Sequence, residues 1–224
     1  HYLNVMEKSA NWDGSPLWIL SVFEDEEGII WLGASDALVE FNRNDKSFTL
    51  YQHDPDDPQS LADNYVNSIS EDLRGNLWIA TNGIDIFNKH TKKFSHHTHN
   101  PSDPNSLSDN NVSNILVEKS GTIWIATDGR SINKYVQPNQ YVKKYFLDSV
   151  VVTNTWGGIQ AEDNDGKIWI GTNNGLMSFD PVKEIFKEEP LKGDIGGVLL
   201  DKEGTLWIKN WTDEKFYFKK IKKP

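Results

Sequence analysis

The chain has 224 residues, with 33 acidic against 23 basic side chains for a net charge of −10, and it contains no cysteine. That balance, with no basic run before the last few positions, excludes a nucleic-acid footprint, and the missing cysteine excludes disulfides and thiol chemistry. No apolar run approaches the ~18 residues of a membrane-spanning helix, so no membrane insertion is expected in this segment. Nine Trp, ten Phe and seven Tyr supply much of the apolar surface available for burial.

Five copies of one short pattern recur: an acid, two residues, Gly, any residue, Ile or Leu, Trp, Ile or Leu, and in four of the five a small residue. They begin at Asp25, Asp72, Glu118, Asp163 and Asp201, and their tryptophans (Trp31, Trp78, Trp124, Trp169, Trp207) step by 47, 46, 45 and 38 residues. A period in this range marks a repeat architecture. The second copy is the clearest. Val66 to Ser70 alternates apolar and polar, as a strand with two different faces should, and the turn Asp72-Leu73-Arg74-Gly75 follows. Leu77 to Thr81 is apolar on both faces and so is expected to be buried on both. Asn82-Gly83 turns into Ile84 to Phe87, and a fourth strand forms around Phe94. Four short antiparallel strands without a helix describe one propeller blade.

The other units follow the same plan. The expected fold is therefore all-β: a β-propeller of five four-stranded antiparallel blades in one domain over residues 1–224, at approximately 12–53, 60–99, 107–147, 150–189 and 194–224 plus 1–7. The last unit ends before a full fourth strand, and Tyr2 to Met6 alternates, so the N-terminal strand is expected to complete that blade and close the ring, the alternative being that the five blades are a piece of a larger propeller. Within the motif, Gly28, Gly75, Gly121, Gly166 and Gly204 stand where a tight hairpin needs positive φ. The tryptophans are expected to pack blade on blade, and the small residue two positions later to leave room for a neighbour's ring.

On these residues the chain resembles the two-component regulator propeller family, whose blades carry a D-x-x-G-x-[IL]-W-[IVL]-[GA]-T core. The linkers His53 to Asn64 and His99 to Asn110 also look like that family's D-P-x-x-P-x-S-L-x-x-N connector; units four and five lack it. The resemblance implies a periplasmic or extracellular sensor region, part of a larger membrane-anchored system, that detects an oligosaccharide or a partner protein.

In a blade, the connectors between strands four and one and between strands two and three open on one face, the default ligand site. There the sequence gathers Asn64, Tyr65, Asn82, Asn110, Asn111, Asp128 to Arg130, Asn154 to Trp156, Asn173, Asn174 and Asn210 to Thr212. Amides both donate and accept, and Trp stacks on a sugar face, which suits hydroxyl-rich ligands; Asn and Asp also favour turns for backbone reasons alone. Positions that break the repeat are more informative: Arg130 where glycine is expected, Trp156 before a first strand, Trp211 after the motif, and Trp12 ahead of unit one. The expected ligand-binding residues are Arg130, Asp128, Trp156, Trp211, Tyr65, Asn64, Asn110 and Asn173. No cofactor or metal is expected: His96, His97 and His99 lack a carboxylate at ligand spacing and read as an exposed outer strand, and the run from Asp163 to Gly166 fails as a calcium loop at both ends. A second class of function, a glycan-cleaving enzyme, would need two carboxylates roughly 5–10 Å apart, with Asp13, Asp128 and Asp194 as the candidates; a protein-interaction scaffold is the third.

Overall fold

The computed structural model describes residues 18–127, 131–136, 141–146, 158–212 and 215–221. Among the described residues the alternating segments form nineteen strands in five antiparallel meanders, each ordered as in the sequence. The first is β1 (Ile19–Glu24), β2 (Ile30–Ala34), β3 (Leu38–Phe41) and β4 (Phe48–Tyr51); the second is β5 (Ser68–Glu71), β6 (Asn76–Thr81), β7 (Gly83–Asn88) and β8 (Lys93–His97). The third is β9 (Val112–Val117), β10 (Ile123–Thr127), β11 (Ser131–Val136) and β12 (Tyr141–Phe146), and the fourth is β13 (Gly158–Glu162), β14 (Ile168–Thr172), β15 (Gly175–Asp180) and β16 (Ile185–Glu188). The fifth has three strands, β17 (Asp194–Leu200), β18 (Leu206–Thr212) and β19 (Lys215–Ile221). The fold is all-β and each meander is a propeller blade, as the repeat predicts. The segment Tyr2 to Met6, expected to close the ring, lies outside the described residues.

The chain divides into two compact units, residues 1–98 with the first two blades and residues 99–224 with the other three. In the first unit Trp31 meets Phe87 edge-on at 5.6 Å between ring centres, and Tyr51 and Phe94 flank Phe87 at 4.9 and 4.6 Å. The second unit repeats this arrangement one residue type at a time. Trp124 meets Phe179 at 5.3 Å, and Tyr145 and Phe186 flank it at 5.1 and 4.6 Å. The packing rule is thus Trp and a fourth-strand Tyr of one blade against a third-strand and a fourth-strand Phe of the next, each ring pair contributing roughly 1 kcal/mol beyond its burial. Blade five packs on blade four through Ile195, Val198, Leu206 and Ile208 against Trp169, Leu176 and Leu191.

Four of the motif tryptophans are buried as expected, at 0–7% exposure, whereas Trp207 is 37% exposed and Leu199, its partner in register on the same face, is 65% exposed. The small residue after Trp does leave room, but for backbone rather than for a ring. A Cβ on Gly33 would lie 2.8 Å from the Val66 carbonyl oxygen, and one on Gly171 would lie 2.5 Å from that of Ile195. Opposite these positions the first strand of blades one, three, four and five carries a bulge, which sharpens its twist where the next connector begins.

Candidate functional site at the connector end of the blades

Each blade has two ends. At the hairpin end, strand one turns into strand two through the motif acid. The Asp72 carbonyl accepts from the Gly75 N–H at 2.9 Å, Gly75 takes φ +78°, and the Asp72 N–H donates to the Asn76 carbonyl, giving a β-turn closed by a left-handed glycine. The carboxylate is the centre of the turn. Asp72 Oδ1 accepts the Arg74 and Asn76 amides, each at 2.9 Å, and Oδ2 accepts the Trp78 indole N–H at 3.1 Å. The same indole bond forms from Trp31 to Asp25 (2.9 Å), Trp124 to Glu118 (2.6 Å), Trp169 to Asp163 (2.9 Å) and Trp207 to Asp201 (2.8 Å). All five acids are therefore consumed by the fold. The motif contained this signal, an acid six residues before each Trp, but sequence reasoning assigned roles to the glycine, the tryptophan and the small residue and none to the acid.

One hairpin end carries an added charge. Lys89 Nζ reaches Glu71 Oε1 at 2.6 Å and Asp25 Oδ2 at 3.0 Å, with all three side chains nearly buried. Burial pushes Asp25 up, but the Trp31 and Lys89 hydrogen bonds outweigh it and hold the carboxyl below the ordinary aspartate range. Burial likewise pulls Lys89 down, and its two carboxylates more than offset that, raising its pKa.

The connector end is built differently. In residues 53–64 the His53 N–H donates to Asn64 Oδ1 at 2.6 Å, His53 Nδ1 lies 2.8 Å from the Leu61 carbonyl, and Ser60 Oγ accepts the Asp54 N–H at 2.9 Å. Residues 99–110 repeat all three bonds with His99, Asn110, Leu107, Ser106 and Asn100. Leu61 and Leu107 are buried, and each connector lends a carbonyl to its blade's outer strand, Gln59 to the Phe94 amide at 3.0 Å and Asn105 to the Val142 amide at 2.9 Å. A buried polar side chain on the third strand then anchors each connector. Asp85 Oδ2 accepts the Ala62 amide at 2.8 Å, and Asn133 Oδ1 accepts the Ser108 amide at 3.0 Å. In blades one and four the same register position holds Val39 and Met177. Asp85 and Asn133 were missed from sequence, although a signal was present: among the first four blades, only the two preceded by the Pro-Ser-Leu connector place a polar residue at this register position.

The predicted site residues fall out as follows. Asn64 and Asn110 spend their carbonyl oxygens on the connector itself. Tyr65 follows with its amide bonded to Asp63 Oδ1 at 2.8 Å and its side chain 46% exposed. Asn173 lies in the turn between β14 and β15, beside the exposed Asn174. Trp211 lies in β18, in register with Asp194 and Phe216. Asp128, Arg130 and Trp156 lie outside the described residues, as do Trp12 and Asp13. The histidine run begins on β8, the outermost strand of blade two, which is mostly exposed as expected, yet His96 bonds Asp85, His97 stacks on Trp78 at 6.3 Å, and His99 belongs to the second connector. Among the described residues no group of three or more His, Cys, Asp or Glu is arranged to hold a metal. At the connector end of blade four, Thr172, Asn174, Gly175, Leu176, Met177, Glu188 and Lys192 line a cleft of about 340 Å³. Its rim offers the exposed Asn174 amide beside the Lys192–Glu188 ion pair, 2.8 Å apart, while the Thr172 hydroxyl is buried and donates to the Gly175 carbonyl. Only Asn174 of these was singled out in the sequence.

No curated protein matches the chain. Among solved structures it is similar to the extracellular domain of a putative hybrid two component system from B. thetaiotaomicron, at 23% identity over 94% of this chain and 36% of that one, with a TM-score of 0.61. It is also similar to the extracellular domain of a putative one component system from the same organism, at 18% identity over 92% and 37%, TM-score 0.56. A virginiamycin B lyase from Staphylococcus aureus shares the fold at 17% identity over 96% and 72%, TM-score 0.68. The chain thus spans about a third of the length of the two extracellular domains. Residues 60–83, 106–129 and 160–174, which hold the second, third and fourth motif copies, match the two component regulator propeller model. Three of its repeats thus match the two component regulator propeller pattern, and the solved structures share its fold.

Proposed function

We propose that the chain is the sensing propeller of an extracellular or periplasmic signalling protein, and that it recognises a carbohydrate at the connector end of its blades without transforming it. The observation that carries this reading is the division of labour between the two ends. Every repeated acid and indole at the hairpin ends is satisfied internally, whereas the connector ends present, in the first unit, the half-exposed ring of Tyr65 beside the blade's exposed Asn82 and, in the second unit, the exposed Asn111 and Asn174. An aromatic face among groups that donate and accept is the chemistry a sugar ring needs. Arg130, Asp128, Trp156 and Trp211 are proposed to belong to the binding surface of the second unit, the guanidinium suiting a carboxylate or sulfate substituent. The family supports the sensory role, and the two extracellular domains with which the fold is shared support the location.

Glycan-array screening followed by calorimetry tests the proposal. Tyr65→Ala and Trp156→Ala are each expected to weaken binding about tenfold, the loss of one stacked ring. Full affinity in every such variant would refute the site. Release of new reducing ends from the bound glycan would instead establish the enzymatic alternative.

A further inference from the structure

The anchor beneath the first connector contains a proton that the one beneath the second does not need. His96 Nδ1 lies 2.6 Å from Asp85 Oδ1, and His96 Nε2 lies 3.0 Å from the carbonyl oxygen of Pro58 in the connector. Both ring nitrogens therefore face acceptors. Asp85 is buried at 1% exposure and already accepts the Ala62 amide through Oδ2. Two hydrogen bonds to the ring need two protons, and a neutral imidazole beside a carboxylate has one.

We propose that Asp85, His96 and the Pro58 carbonyl form a proton-operated latch that holds the connector of residues 53–64 on blade two. With the extra proton present, the imidazolium donates to both Asp85 and Pro58. Loss of that proton to solvent leaves a single N–H, which stays on Nδ1 because the bond to the carboxylate is charge-assisted. The Nε2 lone pair then faces the Pro58 carbonyl lone pairs, and that contact turns repulsive. The Pro58–Gln59 segment is released from the edge of blade two, while Ala62 stays bound to the ionised Asp85.

The surroundings agree with this assignment. The titratable groups facing the ring are Asp85, across from it on β7, and His97, next to it on β8; the connector contributes the Pro58 carbonyl and the Ala62 amide, and β6 contributes the Thr81 hydroxyl near Asp85. Burial pulls His96 down, but the bond and charge of Asp85 outweigh it and its pKa stands above the ordinary histidine value. Burial, and then the His96 charge, lower His97. The chain also contains its own control. At the matching positions of blade three stand Asn133 and Lys144, and the connector of residues 99–110 is held by the Asn133 amide with the Ser108, Thr127 and Ser131 hydroxyls, none of which titrates between pH 5 and 8.

Hydrogen exchange of the intact chain from pH 5 to 8.5, normalised for intrinsic rates, tests the latch alongside nitrogen NMR of the His96 ring. Protection of the Phe94 amide, which bonds the Gln59 carbonyl, is expected to fall about fivefold to tenfold as His96 loses its proton, the worth of one hydrogen bond. The Val142 amide, its counterpart on blade three, should keep constant protection. Asp85→Asn combined with His96→Lys, which copies blade three, should abolish the pH step. The latch is overturned if Phe94 protection stays flat while His96 titrates, if Val142 falls in parallel, or if the ring carries a single proton at pH 5. The wild-type profile decides the matter even if the double variant fails to fold.

Discussion

Removing one motif carboxylate tests the reasoning about the repeat most severely, because Asp72 neither contacts solvent appreciably nor holds an ion pair. Asp72→Ala strands two buried donors, the Asn76 amide and the Trp78 indole, in a blade where Trp78 is 2% exposed. Each unsatisfied buried donor costs about 1–3 kcal/mol, so the variant should lose about 2–6 kcal/mol. That is a large share of the ~5–15 kcal/mol that holds a typical domain. Asp72→Asn should cost about half as much, since its Oδ1 can still cap the turn while its Nδ2 would face the indole donor to donor. Urea unfolding measures both, and a cycle with Trp78→Phe isolates the indole bond: Asp72→Asn should cost markedly less once the N–H is gone. A loss within ~0.5 kcal/mol of zero for Asp72→Ala, the range of an ordinary surface substitution, would refute the central role given to the acid.

Other consequences are equally direct. Gly171→Ala forces a Cβ to 2.5 Å from the Ile195 carbonyl and should cost about 1–3 kcal/mol or more by thermal unfolding, because backbone cannot give way; Gly166, with φ +75° and nothing within 4 Å, should lose only the ~1 kcal/mol of conformational strain on substitution by alanine. Asp25 has a folded pKa below its unfolded value, so its contribution is present above about pH 4 and is lost as the pH falls from there through the folded value. Lys89→Met should therefore flatten the acid limb of the stability profile, and it should cost about 3 kcal/mol at pH 7 by leaving Asp25 and Glu71 without their cation. Leu61→Ala should destabilise by about 2–5 kcal/mol on chemical denaturation, since this connector residue is fully buried in the core of the first two blades.

The fold was legible because the blade's requirements are local. A left-handed glycine, an acid three residues before it and a Trp three residues after it all lie within one hairpin, and the strand limits followed to within a few residues. Less legible were bonds whose partners are far apart in sequence. Nothing near Asp85 announces that it holds Ala62, 23 residues earlier, or that His96 links it to Pro58. Only the comparison of blades reveals it, since Val39 and Met177 replace it in blades one and four. The candidate site was read least well for a related reason. Asn64 and Asn110 carry the side chains a ligand would want, yet their oxygens are taken by the His53 and His99 amides, a use that the paired His and Asn of the two connectors already encode. The partial exposure of Trp207 was also invisible, because what covers a motif tryptophan belongs to the next blade.

The nine indole N–H signals of the chain test the central claim in one spectrum. Titrating labelled protein with an oligosaccharide hit should leave the five motif indoles of Trp31, Trp78, Trp124, Trp169 and Trp207 in place, each bonded to its acid, and should shift Trp156 or Trp211. Movement of the motif signals while Trp156 and Trp211 stay fixed would contradict it, placing recognition on the very residues assigned to folding.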